Sequence, residues 1–432
     1  MIRKHKRKAI TLRRDLGLFE ATLAGIGIIV GAGIYVMIGA AAGYAGNSVW
    51  ISFIIAAFVA FLTGLSYAEL SSIYTEDSGE YSYVEHNFNK RIGFVTGYLV
   101  VVSLLIASAA VSLGFSGYLN QLFGSNHVPE IAIAVIALFS VINYIGIKQS
   151  IRLNIGFTIL SILGLIFIVL VSASKIGSID YFEITNYGGI FKAASLIFFA
   201  FIGFESIVKL SEETKNPRKN IPLALILSLS ISTVFYIIIA ICVISVVSPK
   251  LLAESSAPLA LVASTVLGSK AGLFVSIVAI VSTGNTVLME LIAVSRMLYS
   301  MAHEYPKLMF LSKISKKTNT PYIAIIFSAI FTMLFVLIGE IEIVVESANF
   351  FVFLVFALVN LALIKSRYNN EHHKEVFHSP FNIGKFPVLA LLGFLSTLFL
   401  IFSLETIVII TGTGITALGF VMYEFLKVTD VV

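Results

Sequence analysis

The chain has 432 residues, 58% of them hydrophobic and 12% charged, with a mean hydropathy of +0.97. A soluble domain carries roughly 25% charged residues, so the composition excludes a soluble enzyme and leaves a protein whose main solvent is lipid. The net charge of +5 then speaks of orientation beside anionic lipid, not of nucleic acid.

A bilayer span needs about 20 mostly apolar residues. Twelve stretches meet that need: 17–43, 49–70, 93–121, 129–147, 153–174, 190–210, 221–247, 271–300, 321–339, 343–364, 386–403 and 405–427. The basic start leads into a stretch too long for a signal-peptide core, so no cleaved leader is expected. Cytoplasmic connections collect Lys and Arg. With the N-terminus inside, 25 of the 29 basic residues lie on the inner side and only Lys175, Lys192, Lys250 and Lys270 on the outer. Both termini of this multi-pass cell-membrane protein are therefore expected in the cytoplasm.

Several chemistries are poorly supported. All seven histidines (His5, His86, His127, His303, His372, His373 and His378) fall in predicted loops or at helix ends, and no aspartate falls inside a span. That argues against a metal site, a Ser-His pair or an intramembrane hydrolase, and no enzyme activity or cofactor is expected. The run 372–378, HHKEVFH, reads as a solvated loop rather than a metal cluster. The lone cysteine, Cys242, reads as packing and can form no internal disulfide. The stretch GIGIIVG has the wrong spacing and context for a dinucleotide fingerprint.

Two spans break their own rules. The first contains GIGIIVGAGIYV, with Gly25, Gly27, Gly31 and Gly33 where glycine is costly to a helix. Gly27 and Gly31 form a GxxxG that helix packing would explain. Gly33 lies on another side, and local unwinding around Gly31, Ala32 and Gly33 is the sharper reading. Unwound backbone at membrane depth must be buried in protein or line a cavity. The sixth span carries Gly203 among aromatics, then Glu205, a costly carboxylate. A pair with Lys209, four residues on, is the plain structural reading, and a gating role stands beside it. The breaks fall in span one and span six, at corresponding places in two five-span units that necessarily invert. Such paired interruptions are the best sequence pointer to a transporter site.

At this point the motifs resemble the amino acid–polyamine–organocation transporter superfamily. GIIVGAGIYV is similar to its first-helix signature, and Ser66–Val84 (SYAELSSIYTEDSGEYSYV) to the end of its second helix and the following loop. FFAFIGFESI with SEETKNPRKNIPLAL resembles its sixth helix and the connection beyond, and Ser295–Pro306 the inner end of the eighth. The loop EDSGEY departs from the usual proline and Gly-Gly pattern before Glu-Tyr. The resemblance implies an all-α membrane fold of twelve transmembrane helices, an inverted five-plus-five repeat with two added C-terminal helices. The expected parts are a basic tail (1–16), the first repeat (17–174), the second (175–367), a cytoplasmic loop (368–385), helices eleven and twelve (386–427) and a short tail (428–432).

The resemblance also implies alternating access and a substrate site. It places an amino acid's carboxylate on the amides of Ala32 and Gly33, with Gly31 allowing the turn. It places the ammonium on the carbonyls of Ile29, Phe199 and Ile202. Phe201 is then a lid or ordinary packing, and Ser108 faces the substrate. A family lysine in the fifth helix corresponds to Ser161 here, so a lysine-linked proton mechanism does not transfer. Ser161 with Ser282 and Thr283 could help ligate a sodium ion, or bond to their own helices. Glu290 falls near the side-chain end of the pocket, where it binds a cationic tail, carries a proton or serves structure.

The expected activity is secondary active transport of amino acids, coupled to a proton or sodium gradient or by exchange. A cationic amino acid or polyamine carrier is the alternative within the class, and an ion channel the alternative outside it. Partners are a small amino acid substrate and membrane lipid; the sequence fixes no oligomeric state.

Overall fold

The structure is a computed structural model that describes residues 15–75, 79–124, 127–146, 151–184, 186–369 and 377–427, with backbone alone at 151–155. Among the described residues the regular structure is helical, apart from a two-strand hairpin. The helices are α1 (Leu18–Ile29), α2 (Ala32–Ala45), α3 (Val49–Ile73), α4 (Glu80–Asn87), α5 (Lys90–Phe123), α6 (Val128–Ile145), α7 (Ile151–Ser172) and α8 (Tyr187–Ile197). They continue as α9 (Pro217–Val246), α10 (Pro249–Ala253), α11 (Pro258–Leu267), α12 (Ser269–Glu304), α13 (Tyr322–Val336), α14 (Ile341–Asn369), α15 (Val388–Ile401) and α16 (Thr406–Leu426).

Each of the twelve predicted apolar stretches falls on helix, because continuous apolarity at this length leaves the backbone no partner but itself. Among the described residues, nine helical stretches are long and apolar enough to cross a membrane, and four shorter apolar helices accompany them. The protein is an all-α, multi-pass membrane protein. Three short helices escape the sequence reading, namely α4, α10 and α11 in the connections. The predicted loop 368–385 also differs: it includes a strand, β1 (Asn382–Ile383), that pairs with β2 (Phe386–Pro387).

Two stretches predicted as single spans are interrupted. The first divides into α1 and α2. The second begins as α8, tightens into a 3₁₀ turn at Phe198–Ala200 and resumes as 3₁₀ helix over Phe204–Glu213. Ten residues of 3₁₀ helix are unusually many, since runs beyond three or four are uncommon. The lower ends of the two broken stretches are tied together. Leu16 and Thr214 form a parallel bridge, with Leu16 N–H donating to Glu213 O at 3.1 Å and Lys215 N–H to Leu16 O at 2.8 Å.

α14 carries polar contacts along one face. Tyr44 donates its hydroxyl to Glu342 at 2.7 Å, and Lys192 pairs with buried Glu346 at 2.7 Å. Asn349 donates to the carbonyls of Ser195 and Leu196 near the end of α8. Asn360 donates to Thr63 and accepts from Ser66, and Arg367 grips buried Glu69 bidentately at 2.7 and 2.6 Å. Positions 342, 346, 349, 360 and 367 are spaced as on one helical stripe. A run of polar contacts, most of them buried, holds α14 to α2, α3 and α8.

Candidate substrate site

The first break is an inverse γ-turn. Val30 has φ −78° and ψ 73°, and Gly31 N–H donates back to Ile29 O at 2.8 Å. α2 then begins at Ala32 with Gly31 as its N-cap and no side chain capping it. The first amides of a helix have no partner within it and carry the positive end of its dipole. Those of Ala32 and Gly33 are buried in the protein interior. An uncapped, buried helix start of this kind suits a carboxylate.

The glycines of this stretch do different work. A Cβ on Gly27 would meet the Thr158 methyl at 2.8 Å, so Gly27 serves close packing against α7. A Cβ on Gly31 would meet Thr286 Oγ1 at 3.7 Å and Ile28 O at 3.8 Å, ordinary contacts, so close packing does not require glycine there. Gly33 lies against the second break, where a Cβ would come 2.6 Å from Ala200 Cα. Packing and unwinding are both present, on different residues.

The second break turns at Gly203, whose φ of 117° is a left-handed conformation open to glycine. Its N–H donates to Glu205 Oε2 at 2.9 Å. Here the first break is again close: a Cβ on Gly203 would come 3.0 Å from the Ile28 side chain and 3.3 Å from Ile28 O. The two interruptions therefore face each other. Among the described residues, no hydrogen bond reaches the carbonyls of Phe199 or Ile202. The carbonyl of Ile29 is occupied twice, by Gly31 N–H and by the Tyr236 hydroxyl at 2.8 Å.

Tyr236, on α9, is the site residue that sequence reading missed. Its hydroxyl lies 2.8 Å from Ile29 O and 3.0 Å from Ala200 O, so one group spans both breaks. The signal was a tyrosine inside an aliphatic run, since a buried phenol needs a polar partner. Phe201 stacks edge-on against the same ring, 5.3 Å between centroids, and is fully buried. It props Tyr236 and is packed on all sides in this conformation.

Two expected groupings are corrected. Lys209 does not pair with Glu205; it lies 3.9 Å from Glu80 on α4. The pairing presumed α-helical spacing, whereas the segment is 3₁₀, where i and i+3 align and i+4 turns away. Glu205 instead braces the turn through Gly203. Ser161 and Ser282 do meet, their hydroxyls 2.9 Å apart, but Thr283 bonds back to Ala279 O on its own helix. Hydrogen bonding thus joins only two of the three hydroxyls. Ser161 O also accepts from the Tyr35 hydroxyl at 2.6 Å.

Glu290 on α12 and Ser108 on α5 are brought together, with the Ser108 hydroxyl facing the Glu290 carboxyl. Ser108 itself donates to Leu104 O. Glu290 Oε2 is buried with no hydrogen-bond partner among the described residues. His372 and His373 lie outside the described residues, while His378 reaches Glu69 at 3.2 Å. Among the described residues, no group of three or more His, Cys, Asp or Glu side chains could hold a metal ion.

The amino acid permease family model matches residues 16–423, almost the whole chain. The chain belongs to the amino acid permease family. Among characterised relatives, it is 29% identical over 435 residues to the branched-chain amino acid permease BcaP of Bacillus subtilis, covering 96% of this chain and 93% of that one. It is 26% identical to the methylthioribose transporter of the same organism, over 96% of this chain and 92% of that one. It is also 26% identical to cationic amino acid transporter 1 of Arabidopsis thaliana, over 83% of this chain and 63% of that one. This permease is thus a transporter of the amino acid–polyamine–organocation superfamily and not an enzyme. Its relatives differ in the side chains they are named for, so its specificity has to be argued from its own pocket.

Proposed function

We propose that this permease is a secondary carrier that moves an α-amino acid across the cell membrane by alternating access. The observation that carries the reading is the meeting of two breaks with opposite unmet polarity. The uncapped amides of Ala32 and Gly33 offer donors for a carboxylate. The unbonded carbonyls of Phe199 and Ile202 offer acceptors for an ammonium, with Ile29 O shared with Tyr236. One zwitterion satisfies both. The reading also holds that the twelve apolar stretches are twelve spans, ten of them in two inverted five-span units, with both termini cytoplasmic. A carrier is favoured over a channel because the breaks sit in non-equivalent spans of one chain rather than in repeated rings.

Coupling is to a proton or sodium gradient, or is exchange. The Ser161–Ser282 pair, joined by one hydrogen bond, is what remains of the sodium reading. A second reading, favoured by the buried and unpartnered Glu290 Oε2, makes the substrate a cationic amino acid.

Reconstitution into proteoliposomes tests the proposal. Uptake of labelled amino acids should saturate and prefer one enantiomer. A conductance that neither saturates nor discriminates would show a channel. Replacing sodium by choline at fixed pH should leave uptake intact if coupling is to protons or by exchange, and abolish it if sodium is the coupling ion.

A further inference from the structure

The connection from α12 to α13 carries an unbalanced charge. Residues 305–320 hold Lys307, Lys313, Lys316 and Lys317 and no Asp or Glu. The stretch leading into α9, 205–220, mixes the signs instead, with Glu205, Glu212 and Glu213 beside Lys209, Lys215, Arg218 and Lys219. Lys313, Lys316 and Lys317 are exposed, and among the described residues no ion pair or hydrogen bond occupies their ammonium groups. The large apolar side chains between the lysines are exposed as well: Met309 by 57%, Phe310 by 47% and Ile314 by 48%.

Local structure produces this display. Pro306–Ser312 is 3₁₀ helix, with three residues per turn. Leu308 and Leu311 share one of its three stripes and pack with Leu298 and Ala302 of α12 and Ala324 of α13. Met309 and Phe310 stand on the other two stripes. Beyond the 3₁₀ helix, Ser315 N–H donates to Thr320 O and Asn319 N–H to Ser315 O, both at 2.9 Å, closing a turn with Lys316 and Lys317 at its tip. The Thr320 hydroxyl donates to Tyr144 O at 2.9 Å and fixes that turn to the end of α6. At the other side Lys307 donates to Phe425 O and lies over the Phe425 ring, 4.3 Å from its centroid, at the end of α16. The segment is therefore docked where the C-terminal ends of α6, α12 and α16 meet, and all three are long and apolar enough to cross a membrane. That places it at a membrane boundary.

Lysines interleaved with large apolar side chains, at the level where spans end, match a leaflet with anionic headgroups. The apolar groups enter the acyl boundary while each lysine lays its stem along it and reaches a phosphate. A soluble polyanion would match the lysines but leave Met309, Phe310 and Ile314 in water. We propose that residues 306–317 form an interfacial seat for anionic phospholipid. Lys313, Lys316 and Lys317 gather the headgroups, and Met309, Phe310 and Ile314 dip into the leaflet. Because the segment follows α12 directly, the seat sets the depth of that helix's end. The seat goes beyond the carrier reading and requires only that α6, α12 and α16 cross the membrane.

The test is fluorescence quenching by brominated lipid, using Phe310→Trp in a Trp50→Phe background of the full chain. The vesicles are equal parts phosphatidylcholine and phosphatidylglycerol, with one or the other brominated. Brominated phosphatidylglycerol should quench at least about twofold more strongly, as attraction by several surface lysines implies. Adding Lys313→Gln, Lys316→Gln and Lys317→Gln should make the two lipids equal while quenching persists. Equal quenching before those replacements would overturn the inference, as would a preference that survives them. No quenching by either lipid would overturn the membrane seat outright. Glycerol phosphate in solution, at constant ionic strength, should leave the preference in place; its loss would show a soluble phosphate site and overturn the proposal. If Phe310→Trp folds poorly, spin-labelled lipids give the same comparison on the parent chain and the triple lysine variant, whose changes are all at exposed positions. The parent should immobilise phosphatidylglycerol preferentially and the variant less so; equal behaviour of the two proteins would overturn the seat. No arm measures uptake, so failure here is distinct from failure of the carrier reading.

Discussion

Gly33 and Ala200 touch backbone to backbone: a Cβ on Gly33 would lie 2.6 Å from the Ala200 Cα. This contact joins the start of α2 to the second break. It makes glycine at 33 a structural requirement, beside the part that the proposed carboxylate site gives it. Gly31, two residues earlier, has no such neighbour.

The two glycines should therefore separate experimentally. Gly33→Ala forces the breaks apart and should lower thermal stability, by about 1–3 kcal/mol as overpacking commonly does, together with uptake. Gly31→Ala has negative φ and only ordinary contacts for its methyl group, so its stability should stay near the parent's. Its methyl group would stand in the turn, and amino acid affinity should fall. Thermal unfolding in detergent and uptake in proteoliposomes, run on both variants, check the contrast.

Tyr236→Phe keeps the ring that Phe201 packs on and removes the hydroxyl shared by Ile29 O and Ala200 O. Leaving buried carbonyls without their donor costs about 1–3 kcal/mol. The variant should unfold at lower temperature. It should also transport more slowly, because the carbonyls of the two breaks lose their common brace. A variant with the parent's melting temperature and uptake would show that the hydroxyl braces nothing.

Glu69 and Arg367 form a buried bidentate pair, with Ser379 N–H donating to the same carboxylate at 2.8 Å. Removing one partner from such a pair strands the other and costs about 3–5 kcal/mol. Glu69→Gln and Arg367→Met should each reduce folded yield, and the double replacement by Met should recover part of it. Size-exclusion profiles of the three proteins measure the effect.

The polar stripe on α14 predicts which surfaces stay together during transport. Breaking it would expose the buried Glu346, Asn349, Asn360 and Glu69 contacts at once. Spin labels at the exposed Tyr187, the first residue of α8, and Glu340, just before α14, should keep one distance with and without substrate. Labels at Tyr187 and Lys270, the latter at the start of α12, should show a shift. Pulsed electron paramagnetic resonance reads both.

Much of this was legible in the sequence. Apolar stretches of span length announce helices whatever their partners, because lipid offers the backbone none. The breaks were legible because Gly31, Gly33 and Gly203 are costly unless a special conformation or a close approach requires them. The 3₁₀ form of Phe204–Glu213 was not legible, since its apolar spacing suits an α-helix equally, and the Glu205–Lys209 pairing failed with it. The roles of Tyr236 and of the α14 stripe depend on partners far away in sequence, such as Glu69 for Arg367. No local pattern reports those. Glu290 stood out alone, but its neighbour Ser108 and the register of Thr286 with Gly31 needed the packed helices.

The central claim is that the two breaks hold the two charged ends of one amino acid. The most direct measurement is competition by a matched pair of ligands differing only in the α-carboxylate, lysine against cadaverine, in proteoliposome uptake. Lysine should inhibit and cadaverine should not, because the amides of Ala32 and Gly33 would lose their anion. Equal inhibition by cadaverine would contradict the account.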